Sequence, residues 1–159
     1  MKSIAFFGHS SIFDKSAVKK NIDKALNNLV LKERLRVLIG CHGDFDQLAL
    51  SSCLDYKKNN DLDIQIDVVL TSLSFLKKDC FGYSKADFFK QNNCQPIFYD
   101  IEEVYFKKRI VFSNKKMVDE SDLIICYVDM KAQRSGAKQT ISYAIKQNKQ
   151  IVNLFEGKD

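Results

Sequence analysis

Apolar runs of strand length alternate along this chain with amphipathic stretches of helix length. The strand-like runs lie at residues 3–7, 36–39, 64–70, 96–99, 123–128 and 150–154. The helix-like stretches between them lie at residues 14–31, 44–56, 84–91, 104–120 and 137–147. This alternation is typical of βαβ units. It predicts an α/β fold, in which residues 1–159 form a single Rossmann-like domain with a mostly parallel sheet and helices on both faces.

Two aspartates stand where helices should begin. Asp14 precedes apolar positions spaced as one face of a helix, which should run to about residue 31. Asp44, with Gln47 three residues later, has the pattern of an N-cap and its third-position partner. The strand at 64–70 is β-branched and nearly all apolar, so it should be covered on both faces in a central or near-central position.

Length and composition fit one ordinary domain. The chain has 159 residues, of which 45% are apolar and 28% charged, and no apolar run approaches the roughly 18 residues of a membrane span. We therefore expect a soluble, cytoplasmic protein without a membrane partner. Five cysteines, an odd number without a CxxC pair, argue against a disulfide framework and a zinc knuckle.

The net charge of +5 could attract phosphorylated ligands or nucleic acid. The lysines, however, are scattered over helix-like stretches beside acids and amides, as on solvated helix faces. No nucleic-acid-binding motif accompanies them, so the composition favours solubilising charge and makes a nucleic-acid partner the weaker interpretation.

Three loops carry the candidate chemistry. They follow the first strand (residues 8–11), the second (40–46) and the fifth (129–136). Ligands of open parallel sheets bind where strands end at their carboxyl edge, so we expect one ligand site there, although glycines at strand exits are also ordinary turn residues. The small-residue turn of the third loop opens a helix, whose free N–H groups and dipole favour an anion. The candidate ligand-binding residues are Gly8, His9, Ser10, Gly40, His42, Gly43, Asp46, Asp129, Arg134, Ser135, Gly136 and Ala137.

Both histidines, His9 and His42, lie in these loops. An imidazole can hydrogen-bond a phosphate or a base, or carry a proton near neutral pH, so we expect both to face one pocket. No ligand pair has the spacing of a helical or finger-type metal site, and we expect neither a metal nor a cofactor. Cys41 beside His42 does not by itself make a catalytic dyad, and Cys126 should be a small core residue within its strand.

The loops together resemble a known family. Residues 6–10 (Phe-Phe-Gly-His-Ser) resemble the Phe-x-Gly-His-Arg start of the YpsA-like branch of the SLOG superfamily, which is related to the LOG phosphoribohydrolases and the molybdenum-cofactor carrier proteins. Residues 43–49 are similar to that family's glycine, acid and alanine pattern. Residues 114–122 with 135–140 resemble its Asn-x-x-Met…Ser-Asp…Gly-Gly-Thr signature. The resemblance covers nearly the whole chain except about residues 72–103.

This resemblance implies a nucleotide or nucleotide-derived ligand across the sheet edge, with its phosphate on the turn at residues 135–137. It also implies a sensor, carrier or sequestering protein, in nucleotide signalling or in phage defence or anti-defence. The hydrolase branch has a glutamate after its Gly-Gly-x-Gly-Thr turn, whereas here none follows. At the position after Gly-His, typical YpsA-like chains have an arginine, and this chain has Ser10. Ligand binding does not need that carboxylate. The alternatives are a nucleotide N-glycosidase that uses Asp46, Asp129 or Glu120, and a protein whose aromatic segment docks a partner.

That segment, residues 71–103, carries seven aromatic residues without a sustained period and the only proline. We interpret it as a loop, a short helix and a strand. Because long insertions at a ligand edge are often lids or contacts, we expect Phe75, Phe81 or Tyr83 to close over the ligand or to pack on a second subunit of a homo-oligomer, a dimer or tetramer. Ordinary local packing is the alternative.

Overall fold

Six parallel strands form one sheet in the computed structural model, which describes residues 1–29, 34–60, 63–133 and 135–156. The strand order is β4-β3-β2-β1-β5-β6. The predicted α/β fold with a parallel sheet is therefore confirmed. The strands are β1 (Lys2–Gly8), β2 (Leu35–Ile39), β3 (Ile64–Val69), β4 (Gln95–Ile97), β5 (Leu123–Tyr127) and β6 (Gln150–Asn153).

Helices cover both faces of this sheet, because successive strand residues point to opposite sides. In β1, Ile4 and Phe6 are buried in one core with α1, α2 and α3, whereas Ala5 and Phe7 are buried in the other with α4 and α5. The helices are α1 (Lys15–Asn27), α2 (Asp44–Asn59), α3 (Lys85–Gln91), α4 (Arg109–Glu120) and α5 (Gly136–Lys146). None of the helices in the described ranges is long and apolar enough to cross a membrane.

The two predicted helix starts have different outcomes. Asp14 is the N-cap of α1 and accepts a hydrogen bond from the Ala17 N–H at 3.1 Å, as predicted. The helix ends at Asn27, earlier than expected, and residues 30–31 of the predicted extension lie outside the described residues. The prediction for Asp44 is wrong, since it is the first residue of α2. Its carboxylate instead accepts the Ile12 N–H at 2.9 Å and so fixes the loop after β1.

The aromatic segment forms a crossover from β3 to β4. A 3-10 turn (Leu73–Leu76) is followed by α3, which begins with a capping box between Ser84 and Asp87. The strand β4 pairs with β3 at the edge of the sheet, where Pro96 is tolerated because an edge strand has N–H groups that need no partner. Consequently β3 is an interior strand one place from the edge, and β2 and β1 occupy the centre.

Candidate functional site

The order of the strands creates a crevice at the carboxyl end of β1 and β5. From β1 the chain proceeds outward through β2, β3 and β4, and it then crosses to the other side of β1 to form β5 and β6. The loops after β1 and β5 therefore diverge, one to α1 on one face and the other to α5 on the opposite face. Such a switch point is where open α/β sheets bind ligands. A cavity of about 670 Å³ lies there.

All three predicted loops line this cavity, which we call the first cavity. Arg134 lies outside the described residues. The structure brings the remaining candidates together around one space. They are Gly8, His9, Ser10, Gly40, His42, Gly43, Asp46, Asp129, Ser135, Gly136 and Ala137.

Other lining residues escaped the sequence analysis. Asn114 and Met117 of α4 belong to the motif that resembles the SLOG signature, so a signal for them existed. The Asn114 amide donates a hydrogen bond to the Thr140 hydroxyl at 3.3 Å, which ties α4 to α5. Ile110 at the start of α4 and Phe155 after β6 also line the cavity, and no sequence pattern singled them out.

Two glycines permit close approach between the loop after β1 and the start of α2. A Cβ atom at Gly8 would lie 2.2 Å from the Phe45 ring, and one at Gly43 would lie 2.5 Å from the Cα of Ser10. This contact brings the Asp44 N–H within 2.9 Å of the Ser10 carbonyl oxygen. The glycines thus join the first two loops into one wall.

His9 connects the first loop to the third. Its Nε2 accepts a hydrogen bond from the Asp129 N–H at 2.8 Å, which requires the ring proton of neutral imidazole to be on Nδ1. Nδ1 lies 3.5 Å from the Ser135 hydroxyl, and the ring makes edge contacts with Tyr127 and Phe155. His9 therefore holds the third loop in place.

The start of α5 forms the wall that we predicted to bind an anion. Ser135 is the N-cap, and its hydroxyl accepts the Lys138 N–H at 3.3 Å. The N–H groups of Gly136 and Ala137 belong to the first helical turn, so they have no partner within the helix, and the helix dipole is positive at this end. A Cβ at Gly136 would have no atom within 4 Å, so the approach to this turn is open.

Asp46 and His42 form the opposite wall. The Asp46 carboxylate accepts the His42 N–H at 2.8 Å, and burial raises the pKa of Asp46 to about 6. The His42 Nε2 lies 2.6 Å from the Thr71 hydroxyl, and loss of water from part of its ring lowers its pKa. At neutral pH the wall therefore presents a neutral imidazole and a carboxylate close to its titration range.

The cysteine at this wall is not activated. The Cys41 Sγ lies 3.7 Å from the His42 Nε2, but it donates to the Val69 carbonyl oxygen at 3.5 Å, and burial raises the pKa of Cys41 to about 12. A nucleophilic thiolate needs a lowered pKa. Cys126 is buried within β5, as predicted. Within the described ranges, no group of three or more His, Cys, Asp or Glu could hold a metal ion.

The three carboxylates considered for catalysis do not all reach the cavity. Asp46 and Asp129 line it. Glu120 instead ends α4, accepts a hydrogen bond from the Tyr99 hydroxyl and lies 3.6 Å from Arg36, outside the lining. Glu120 lies away from the cavity because α4 runs back toward the amino ends of the strands, and Glu120 is its last residue.

None of the three aromatic residues expected to close over the ligand lines the first cavity. Phe75 packs against the core, and the Tyr83 hydroxyl donates to Gln91 at 2.8 Å. Phe81 has 90% of its surface exposed. The closed lid is thus not the conformation of this structure, and the expected subunit contact stays a prediction.

No protein-family model matches the chain, and no curated protein matches it either. The likeness to the SLOG superfamily consequently rests on the motif residues alone, and what it implies about ligand and activity stays a prediction.

Proposed function

We propose that this protein binds a nucleotide or a nucleotide-derived signalling molecule in the first cavity, as a sensor, carrier or sequestering protein. The observation that supports this most directly is the convergence of three strand-exit loops on one space at the switch point of the sheet. Its volume of about 670 Å³ is in the range of small-molecule sites. One wall offers free N–H groups, and the opposite wall offers acceptors.

The two walls orient the ligand. A phosphate group belongs at the start of α5, where the N–H groups of Gly136 and Ala137 and the helix dipole favour negative charge. The Asp46 carboxylate disfavours an anion and accepts hydrogen bonds, so a sugar hydroxyl or a base amino group belongs beside it. Ile110 and Phe155 add apolar surface to the same cavity.

Calorimetric titration of a panel of nucleoside mono-, di- and triphosphates, cyclic nucleotides, ADP-ribose and dinucleotides tests this proposal. A carboxylate introduced by Gly136→Asp would occupy the anion position, and it should weaken binding by roughly 2–4 kcal/mol. Ser51→Asp is the matched control, because it adds the same charge at an exposed position of α2 outside the lining of the cavity. If no member of the panel binds the folded protein, or if both variants bind like wild type, the proposal is wrong.

One observation favours an N-glycosidase as the second candidate. Asp46 lines the cavity with its pKa raised to about 6, so a fraction of its carboxyl groups is protonated near neutral pH. A general acid in this state can protonate the departing base while water attacks the sugar carbon, so that the C–N bond breaks and a free base and a sugar hydroxyl form. Chromatography after incubation with the panel decides between the candidates, since turnover should release free base and Asp46→Asn should abolish that release.

We further infer a cytoplasmic homo-oligomer, a dimer or tetramer, with a role in nucleotide signalling such as phage defence or anti-defence. The subunit contact would bury Phe81, whose exposed surface is costly to leave in water. Light scattering should give a multiple of the 18.3 kDa chain for the wild type and a smaller species for Phe81→Ser. A wild-type monomer in light scattering would contradict the oligomer.

A further inference from the structure

A second cavity of about 450 Å³ lies on the other side of the α5 start and shares Ser135 and Gly136 with the first cavity. It is lined mainly by residues of α4 and α5. The first turn of α5 is thus a common wall. A Cβ at Gly136 would meet no atom within 4 Å, so no neighbouring side chain fills the space beside this residue, which lines both cavities.

The second cavity is positively charged. Lys115, Lys138 and Lys146 line it, and no aspartate or glutamate is among its described lining residues. The Lys115 ammonium group lies 5.4 Å from the centre of the Tyr143 ring, and Lys138 donates to the Ala132 carbonyl oxygen at 2.9 Å.

None of these three lysines forms an ion pair with a residue in the described ranges. The neighbouring carboxylate of Asp119 accepts the Tyr143 hydroxyl at 2.7 Å and is not part of the lining. Three lysines therefore line one cavity, and no carboxylate is among its described lining residues.

The first cavity has the opposite character. Two aspartates, Asp46 and Asp129, line it, and none of its described lining residues is lysine or arginine. A ligand with several negative charges is disfavoured deep in the first cavity and favoured in the second. A nucleoside, which is uncharged and rich in hydrogen-bond donors, suits the first. The charges of the two cavities therefore favour the uncharged part of a ligand on one side of Gly136 and its negatively charged part on the other side.

We propose that the ligand is a nucleoside with two or more consecutive phosphates, whose nucleoside part occupies the first cavity and whose phosphate chain crosses Gly136 into the second. This rests on the proposed function and adds to it the class of ligand and the direction in which the ligand lies. The phosphate nearest the sugar contacts the start of α5, and the terminal phosphates contact the lysines.

Titration calorimetry with adenosine, AMP, ADP and ATP, and with the guanosine series, tests the proposal on the whole chain. Affinity should rise by at least about tenfold from mono- to triphosphate. The double variant Lys115→Gln/Lys146→Gln should lose at least about tenfold for the triphosphate and less than about threefold for the monophosphate. The matched control is Lys107→Gln/Lys116→Gln, which removes the same charge from exposed lysines that line neither cavity.

Inorganic tripolyphosphate tests the second cavity separately from the first. It should bind the wild type and the control and fail to bind Lys115→Gln/Lys146→Gln. Nucleotide binding that is equal for mono- and triphosphates, or insensitive to the double variant, would overturn this inference and leave the proposed function standing. Tripolyphosphate binding without any nucleotide binding would instead overturn the proposed function and the nucleoside part of the ligand. If no probe binds, both proposals fail.

Discussion

Replacing Asp46 with asparagine should stabilise the protein at neutral pH and much less at pH 4. The carboxylate is half-buried in the wall of the first cavity, where burial raises its pKa from 3.8 to about 6. It accepts the His42 N–H at 2.8 Å, and the side-chain oxygen of asparagine can accept the same hydrogen bond. The substitution therefore removes the charge and keeps the contact.

The sign of this pH-dependent change in stability follows from the linkage between proton binding and folding. Because the pKa of Asp46 is higher in the folded protein, the folded state binds more protons than the unfolded chain between about pH 4 and 6, so stability falls as the pH rises through this window. The two pKa values differ by about 2, which corresponds to an upper limit of about 3 kcal/mol above pH 7 and about 0.5 kcal/mol at pH 4. Since the side chain keeps some contact with water, we expect a gain of roughly 1–3 kcal/mol at pH 7.5.

Urea unfolding at pH 4, 5.5 and 7.5 measures this difference. Glu102→Gln is the control, because it neutralises an exposed carboxylate outside the cavity lining. The lowered pKa of His42 has the opposite effect on the pH dependence of stability, since it makes stability fall as the pH drops below about 6.5. This effect is common to all variants and cancels when their free energies of unfolding are compared. A variant that is less stable than wild type at pH 7.5, or a difference that does not change with pH, would refute the reasoning.

Two further predictions concern packing and thiol chemistry. Gly8→Ala should lower the free energy of unfolding by about 1–3 kcal/mol, because its methyl group would overlap the Phe45 ring. Gly136→Ala should lower the free energy of unfolding by less than about 0.5 kcal/mol, because its methyl group meets no protein atom. Equal unfolding midpoints for the two variants would contradict this expectation. Thiol titration with a maleimide at pH 7 should show fast labelling of the exposed Cys80 and slow labelling of Cys41, whose pKa is raised to about 12. Fast labelling that persists in Cys80→Ser would contradict the assignment of the fast group to Cys80.

The fold could be predicted because the layers of an α/β protein appear directly in the sequence. The strand β5 is apolar at every position, since both of its faces are covered. The strand β3 is apolar at four of its six positions and also carries Gln65 and Asp67, whose buried carboxylate pairs with Arg36 at 2.7 Å. The place of β3 beside an edge could not be predicted, because strand order depends on which crossovers lie on which side. The aromatic residues of residues 71–103 show no regular spacing because adjacent residues have different surroundings. Phe89 packs against the core, while Phe88 has half its surface in solvent.

The candidate site was predictable to the extent that it consists of strand exits, since the carboxyl ends of parallel strands meet at one edge. Contacts across the fold were not predictable. The role of Asp44 depends on the Ile12 N–H, which is 32 residues away, and that of His9 on the Asp129 N–H, which is 120 residues away. Ile110 reaches the cavity only because α4 begins beside it.

Hydrogen bonds within the protein hold the loops around the first cavity in place, and other polar groups of these loops remain available to a ligand. The His9 ring, the Asp44 carboxylate and the Ser135 hydroxyl each fix one loop. The first N–H groups of α5 have no partner within their helix, and Asp46 is held in a site that raises its pKa. A fixed site with such groups loses little conformational entropy on binding. A ligand with an anion at the start of α5 and a hydrogen-bond donor beside Asp46 would satisfy the N–H groups and the carboxylate together, so these two walls should determine which ligands the cavity accepts.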